Sequence, residues 1–149
     1  MPTANFSVSI EINASPEVVF SCVADLARHG EWSANPLRIE ALSSGPLAVG
    51  SRYRSTAEFG GREIHAEFQV TEYEPPRRFG FAGKDTTGKY EHLFTLQPQS
   101  GGTLLKRTVR FDLTPGQWLM FQIILYPIRL PAARKALKLL KARLEQGAA

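Results

Sequence analysis

The chain ends in a long stretch in which apolar residues recur every three or four positions. This spacing predicts a helix over residues 114–146 with one apolar stripe: Leu119, Ile123, Tyr126, Leu130, Ala133, Leu137, Leu140 and Leu144. Pro127 and Pro131 each remove a backbone donor, so we expect a kink or break there. An apolar piece, residues 117–126, would then form a movable lid, while residues 131–145 pack on a sheet.

The preceding chain is dominated by short segments in which apolar and polar residues alternate, as they do in half-buried strands. Seven strands are predicted, at residues 6–12, 37–42, 51–59, 62–73, 78–83, 90–96 and 103–113. Two short helices should follow the first strand. One begins at Pro16 after the N-cap candidate Ser15 and runs to about Asp25, and the second covers residues 27–32.

Two predicted hairpins determine which side chains lie on the same face of the sheet. The turn at Gly60-Gly61 pairs Phe59 with Arg62. In the last hairpin we take Leu96 to lie opposite Thr103. That register places His92 beside Arg107 on the apolar face, since side chains two residues apart share one side of a strand.

Composition limits the class of protein. The 149 residues fit one domain, residues 1–149, with a net charge of +4. From Pro115 onward there are six basic residues and one acidic residue, so the basic character belongs to the final helix and argues against nucleic-acid binding by the whole domain. No secretory signal is visible, which predicts a cytoplasmic protein. The single cysteine, Cys22, is expected to be a small core residue.

Several short motifs follow one another in a familiar order. They are Ile12-x-Ala14-Ser15-Pro16-Glu17-Val18-Val19-Phe20, Trp32-x-x-x-Pro36, Gly50-Ser51-x-Tyr53-x-Ser55, Val70-Thr71-Glu72-Tyr73-Glu74-Pro75-Pro76-Arg77-Arg78-Phe79 and Gly101-Gly102-Thr103. In this order the chain resembles the SRPBCC superfamily, which includes START domains, birch-pollen-allergen-like proteins and the polyketide cyclase/dehydrase and lipid transport group.

The resemblance implies an α+β helix-grip fold. A seven-stranded antiparallel curved sheet would surround the long C-terminal helix, with two short helices after the first strand. It also implies a cavity between sheet and helix that takes a hydrophobic or amphipathic small molecule. The motifs themselves identify helix starts and turns, so they indicate the scaffold and a broad class of function.

The three histidines are not predicted to converge on a metal. His29 and His65 are expected to be solvated, while His92 lies on the inward phase of its strand. We therefore predict neither a metal nor a cofactor. Trp32 is expected near the entrance of the cavity.

His92 and Arg107 are the candidate catalytic residues. A guanidinium on an apolar surface needs a partner, which a carboxylate, phosphate or enolate oxygen of a ligand would supply, with His92 as acid or base. Alternatively, Arg107 reaches the rim or meets Glu72, and His92 bonds to Tyr53 or Tyr90. The predicted ligand-binding residues are Tyr53, Ser55, Phe68, Phe79, Phe81, Tyr90, His92, Phe94, Arg107 and Trp118.

Three functions remain open from the sequence. The first is binding of a hydrophobic, lipid- or polyketide-like molecule without turnover. The second is a cyclase or dehydratase that uses His92 and Arg107 without a metal. The third is peripheral membrane association through the C-terminal helix, whose apolar residues 118–128 precede a basic face. Self-association as a homodimer is a further way to cover that apolar segment.

Overall fold

The structure is a computed structural model that describes residues 3–59, 61–85 and 88–146. Its elements, in chain order, are β1 (Thr3–Ile12), α1 (Pro16–Ala24), a 3₁₀ helix (Leu26–Glu31), β2 (Leu37–Ala41), β3 (Arg52–Phe59), β4 (Arg62–Glu74), β5 (Arg78–Asp85), β6 (Gly88–Gln99), β7 (Gly102–Asp112), α2 (Pro115–Met120), a π-helical turn (Phe121–Leu125) and α3 (Tyr126–Glu145). The predicted strands and the two short helices are thus confirmed, within a few residues at each end.

The strands form one antiparallel sheet in the order β1-β7-β6-β5-β4-β3-β2. A register shift between Val70 and Glu72 opposite β5 marks an irregularity in β4, the kind of feature that bends a strand and strengthens its twist. Helix α3 packs against β1 at one edge of the sheet, and the 3₁₀ helix packs against β2 at the other. The concave side of the sheet therefore faces the helices, and the core lies between them.

The two hairpin predictions had different outcomes. Phe59 does pair with Arg62, as predicted. The register of the last hairpin was wrong, because Leu96 lies opposite Leu105 rather than Thr103. Strands β6 and β7 extend further than predicted and leave a tight turn at Ser100-Gly101, in which Gly101 adopts a φ of 81°. The error is two residues, so every side chain keeps its predicted face.

The C-terminal helical region departs from a regular α-helix just before Pro127. The Tyr126 N–H donates to the carbonyl of Phe121, five residues back, which is the π-type spacing. Pro127 has no N–H to offer the preceding turn, and a π turn is one of the known responses to such a gap. Pro131 lies inside α3 without ending it. The predicted interruption is present, but it is a π turn within continuous helical structure.

The π turn changes which residues face the core. The apolar stripe is confirmed in α3, where Ala133, Leu137, Leu140 and Leu144 are buried. It is wrong earlier, because Leu119 and Ile123 are 55% and 65% exposed while Phe121 is 1% exposed. A π turn has more residues per turn than an α-helix, so the sequence periodicity loses its phase there.

The two ends of the helical region differ in how firmly they are held. Near the C-terminus, Lys141 donates to the Glu11 carbonyl at 2.6 Å, and the Asn13 N–H donates to Glu145 at 2.9 Å. Arg143 also pairs with Glu31 of the 3₁₀ helix. The beginning of the region instead carries an exposed apolar patch made of Trp118, Leu119, Met120, Ile123 and Ile128. Within the described residues, no helix combines the length and apolarity required to cross a membrane.

Candidate functional site

A cavity of about 260 Å³ lies between the sheet and α3. Small side chains meet across these two layers and leave the space: Ser55, Ala57 and Ala66 on the strands, and Ala132, Ala133 and Ala136 on α3. Close-packed interiors otherwise fill such a gap with larger residues. Further along α3, Leu137 and Leu140 are fully buried in the core, so the space is local to the first half of the helix.

Six of the ten predicted ligand-binding residues line this cavity. They are Ser55, Phe68, Phe81, Tyr90, His92 and Arg107. The other four lie elsewhere: Tyr53 stacks on Phe68 with ring centroids 5.7 Å apart, Phe79 and Phe94 are buried in the core, and Trp118 is 38% exposed in α2. Strand phase thus finds the correct side of the sheet, but it does not separate the cavity wall from the solid core beside it.

His92 and Arg107 are in direct contact, as diagonal neighbours on β6 and β7. The Arg107 Nη2 lies 3.0 Å from the His92 Nδ1. A guanidinium can donate but not accept a hydrogen bond, so Nδ1 is the acceptor and the proton of the neutral imidazole is on Nε2. The alternative in which Arg107 meets Glu72 is wrong, because Glu72 accepts from Arg78 at 2.9 Å.

Aromatic rings hold both side chains in place. The His92 ring lies parallel to Phe81, with 4.9 Å between centroids and 10° between planes. The Arg107 guanidinium lies 5.3 Å from the centre of the Phe94 ring, within the range of a cation–π interaction. Phe94 is thus outside the cavity wall, yet it supports the charged group that forms part of it.

The electrostatic state of this pair follows from its burial. Burial, and then the positive charges of Arg107 and Arg129, hold the pKa of His92 well below its usual range, so the imidazole is neutral near pH 7. Burial lowers the pKa of Arg107 to about 10, which leaves the guanidinium charged. Both side chains are enclosed by protein but keep some accessible surface, and that surface belongs to the cavity they line.

His29 also lines the cavity, which makes the prediction of a solvated His29 wrong. The residue is 4% exposed, and its Nε2 donates to the carbonyl of Val23. Side chains three residues apart share one face of a 3₁₀ helix, so Leu26 and His29 point inward together, and Trp32 follows three residues later. Trp32 itself is buried beside His29 and does not line this cavity.

Arg129 of α3 is another cavity residue that the sequence did not indicate. Its guanidinium lies 4.9 Å from the centre of the Phe111 ring. Burial lowers the pKa of Arg129, and the nearby charge of Asp85, which also lines the cavity, acts in the opposite direction. Arg129 falls at the start of α3, directly after the π turn, so a regular helical projection from the sequence gives it the wrong direction.

Comparison with known proteins identifies the family. Residues 3–146 match the family described as polyketide cyclase/dehydrase and lipid transport, and the chain therefore belongs to it. Rv1546, an uncharacterized protein of Mycobacterium tuberculosis, is 25% identical over 103 residues, which cover 68% of this chain and 72% of that protein. The SRPBCC resemblance expected from the motifs is thereby confirmed.

Solved structures support the same fold. TTHA0849 from Thermus thermophilus is similar with a TM-score of 0.80 and 19% identity, covering 98% of this chain and all (100%) of that one. Ara h 8.0201 is similar with a TM-score of 0.68 and 13% identity, covering 97% and 99% of the two chains. The predicted helix-grip fold is confirmed. The family is associated with hydrophobic small molecules, and at these identities the two solved structures bear on the fold alone.

Proposed function

We propose that this protein binds a hydrophobic or amphipathic small molecule, lipid- or polyketide-like, in the cavity between the sheet and α3. The observation that carries the proposal is the cavity itself, which has apolar walls and a few convergent polar groups, the usual composition of a small-molecule site. The proposed role is that of a binding or carrier protein, and we propose that the protein acts in the cytoplasm.

Filling the cavity tests this proposal. Ala136 is 4% exposed and lines the cavity from α3, so Ala136→Phe should occupy much of the space. We expect 1-octanol to raise the unfolding temperature of the wild type, because a ligand that binds the folded state stabilises it, and to leave Ala136→Phe unaffected. Ala142→Phe places the same ring on the exposed face of α3 and serves as the matched control.

The control should respond to 1-octanol as the wild type does. Equal shifts in all three proteins would mean that the alcohol binds elsewhere. No shift in any of them would contradict an apolar ligand site in this cavity.

The alternative function is a cyclase or dehydratase. The His92–Arg107 contact favours it, since the two side chains offer several N–H donors to a carbonyl or enolate oxygen. The same contact weakens His92 as a general base, because Nδ1 already accepts from Arg107 and burial lowers the pKa of the ring. Turnover of a polyketide-like substrate by wild type and His92→Ala at equal rates would exclude this assignment.

The second alternative is association with a membrane surface, in addition to the cavity. The exposed apolar patch favours it, as does the neighbouring charge: Lys135 follows Ile128 by seven residues and so lies on the same face of α3. Apolar residues flanked by lysine and arginine suit the interface of an anionic bilayer. A second copy of this chain is the competing way to cover the patch.

A further inference from the structure

Apart from the exposed Glu58, the charged side chains of the cavity are collected on one side. His92 and Arg107 come from β6 and β7, Arg129 comes from α3, and Tyr90 precedes His92 on its strand. The walls from β2, β3 and β4 are mostly apolar, with Ile39, Ala57, Ile64, Ala66 and Phe68. A ligand that satisfies both sides must have one polar end and one apolar end.

The charges on the polar side do not balance. Burial lowers the pKa of Arg129 and the charge of Asp85 opposes that shift, which indicates that these opposite charges lie close together. Arg107 has no carboxylate partner among the described residues, and its side-chain contact is with the neutral His92. In addition, the buried Arg107 Nε has no hydrogen-bond partner in the described part of the chain. A buried cation with an unused donor is costly unless a ligand supplies the missing acceptor and charge.

We propose that the cavity selects a carboxylic acid with an apolar tail, whose carboxylate binds the part of the Arg107 guanidinium that faces the cavity and whose tail lies against the β2–β4 wall. This inference rests on the proposed binding function and names the class of its ligand. Glu58, the other carboxylate that lines the cavity, is exposed to solvent, so one ligand carboxylate matches the buried positive charge that remains after Asp85 and Arg129 are set against each other. A phosphate monoester carries between one and two charges near pH 7 and would bring excess negative charge close to Asp85.

His92 has a defined part in this arrangement. Its Nδ1 accepts from Arg107, so its Nε2–H remains a donor on the same wall. A second N–H beside the guanidinium can serve the other carboxylate oxygen. A neutral imidazole adds no charge, and the net charge of the site therefore remains that of Arg107.

The volume of the cavity sets the length of the tail. If each non-hydrogen atom needs about the 30 Å³ that a water molecule occupies in the liquid, the space holds roughly nine such atoms. Octanoate and 1-octanol are close to this size and have carbon chains of the same length, so they differ in the polar end alone. They form a matched pair of probes.

The test is titration calorimetry at pH 7 with octanoate, 1-octanol and octyl phosphate. We expect the wild type to bind octanoate at least tenfold more tightly than either of the other compounds. Arg107→Met should lose at least tenfold in affinity for octanoate and change little for 1-octanol. Arg110→Met, on the outward face of the same strand, is the control and should retain the preference for octanoate.

The outcomes separate this inference from the proposed function. Binding of 1-octanol as tightly as octanoate, or tighter binding of octyl phosphate, would overturn the carboxylate assignment and leave the cavity as an apolar site. No binding of any probe would overturn both. If Arg107→Met fails to fold, the comparison of the three probes on the wild type still decides the question. Arg107→Lys, which keeps the charge, should then retain part of the preference for octanoate.

Discussion

His29 and His92 are both neutral imidazoles inside the protein, but different neighbours hold them. His29 donates to a backbone carbonyl, whereas His92 accepts from a guanidinium. Both pKa values are lowered first by burial, because the low-dielectric interior disfavours the charged ring. Folding is therefore linked to the protonation of both side chains.

The stability of the protein should fall in mild acid because of His29. Its pKa is about 4 when folded, against an ordinary value of 6.5. Between these two pH values the unfolded chain binds a proton at His29 that the folded protein does not bind. The stability that the neutral His29 contributes is therefore fully present above pH 6.5 and is lost as the pH falls toward 4. We expect urea unfolding to report a loss of about 2 kcal/mol from this residue between pH 7 and pH 5.

The comparison is between two substitutions of the same kind. His29→Gln should reduce the dependence of unfolding free energy on pH over this interval and leave the part that His92 contributes. His65→Gln is the matched control, at a side chain that is 63% exposed. Identical slopes in His29→Gln and the wild type would show that His29 is not a buried neutral group.

Sequence patterns predicted some of these residues and missed others for physical reasons. His92 and Arg107 were found although their register was wrong, because a shift of two residues preserves the face of a strand. His29 was missed because a histidine in a short helical segment is usually interpreted as exposed to solvent. The spacing of three residues between Leu26, His29 and Trp32 was the available signal for the inward face of a 3₁₀ helix.

At the scale of elements, the C-terminal helical region divides into an anchored and an unanchored part. Helix α3 is tied to β1 and to the 3₁₀ helix by Lys141, Arg143 and Glu145. Helix α2 and the π turn carry most of the exposed apolar patch, and Phe121 is their fully buried contact with the core. That residues 117–126 form a lid stays a prediction. Such a lid requires the division described here, with α3 anchored and the preceding helical segment unanchored.

The exposed apolar patch should bind vesicles that contain anionic lipid. Ile123 is 65% exposed at its centre, so Ile123→Ser should lower the affinity for phosphatidylserine vesicles several-fold. Val49→Ser changes an equally exposed apolar residue in the loop between β2 and β3, and it should have no effect. Sedimentation with vesicles at low and high salt measures the difference, because the lysines and arginines of α3 add a salt-sensitive attraction.

Two results would contradict membrane binding. One is the absence of sedimentation with anionic vesicles at low salt. The other is a wild-type dimer in analytical ultracentrifugation that becomes a monomer in Ile123→Ser, which would assign the patch to a second copy of the chain.

At the scale of the whole molecule, the fold and the presence of a cavity were predictable, but the exact lining of the cavity was not. Alternation along seven strands and one long apolar stripe in α3 require a sheet packed on a helix, and the family resemblance implied the helix-grip fold. The cavity depends on which small residues meet across the two layers. Ala57 and Ala66 face Ala133 and Ala136 because of the sheet register and the π turn together, and the π turn was not evident from the pattern.

The central claim is that the cavity holds an amphipathic small molecule when the protein is in a cell. Native mass spectrometry of protein purified without detergent tests this claim most directly. We predict an added mass on the wild type that is released on denaturation as a carboxylic acid with an apolar tail, and that is lost in Ala136→Phe but kept in Ala142→Phe. A wild type that carries no added mass, even after incubation with a cell lipid extract, would contradict the account.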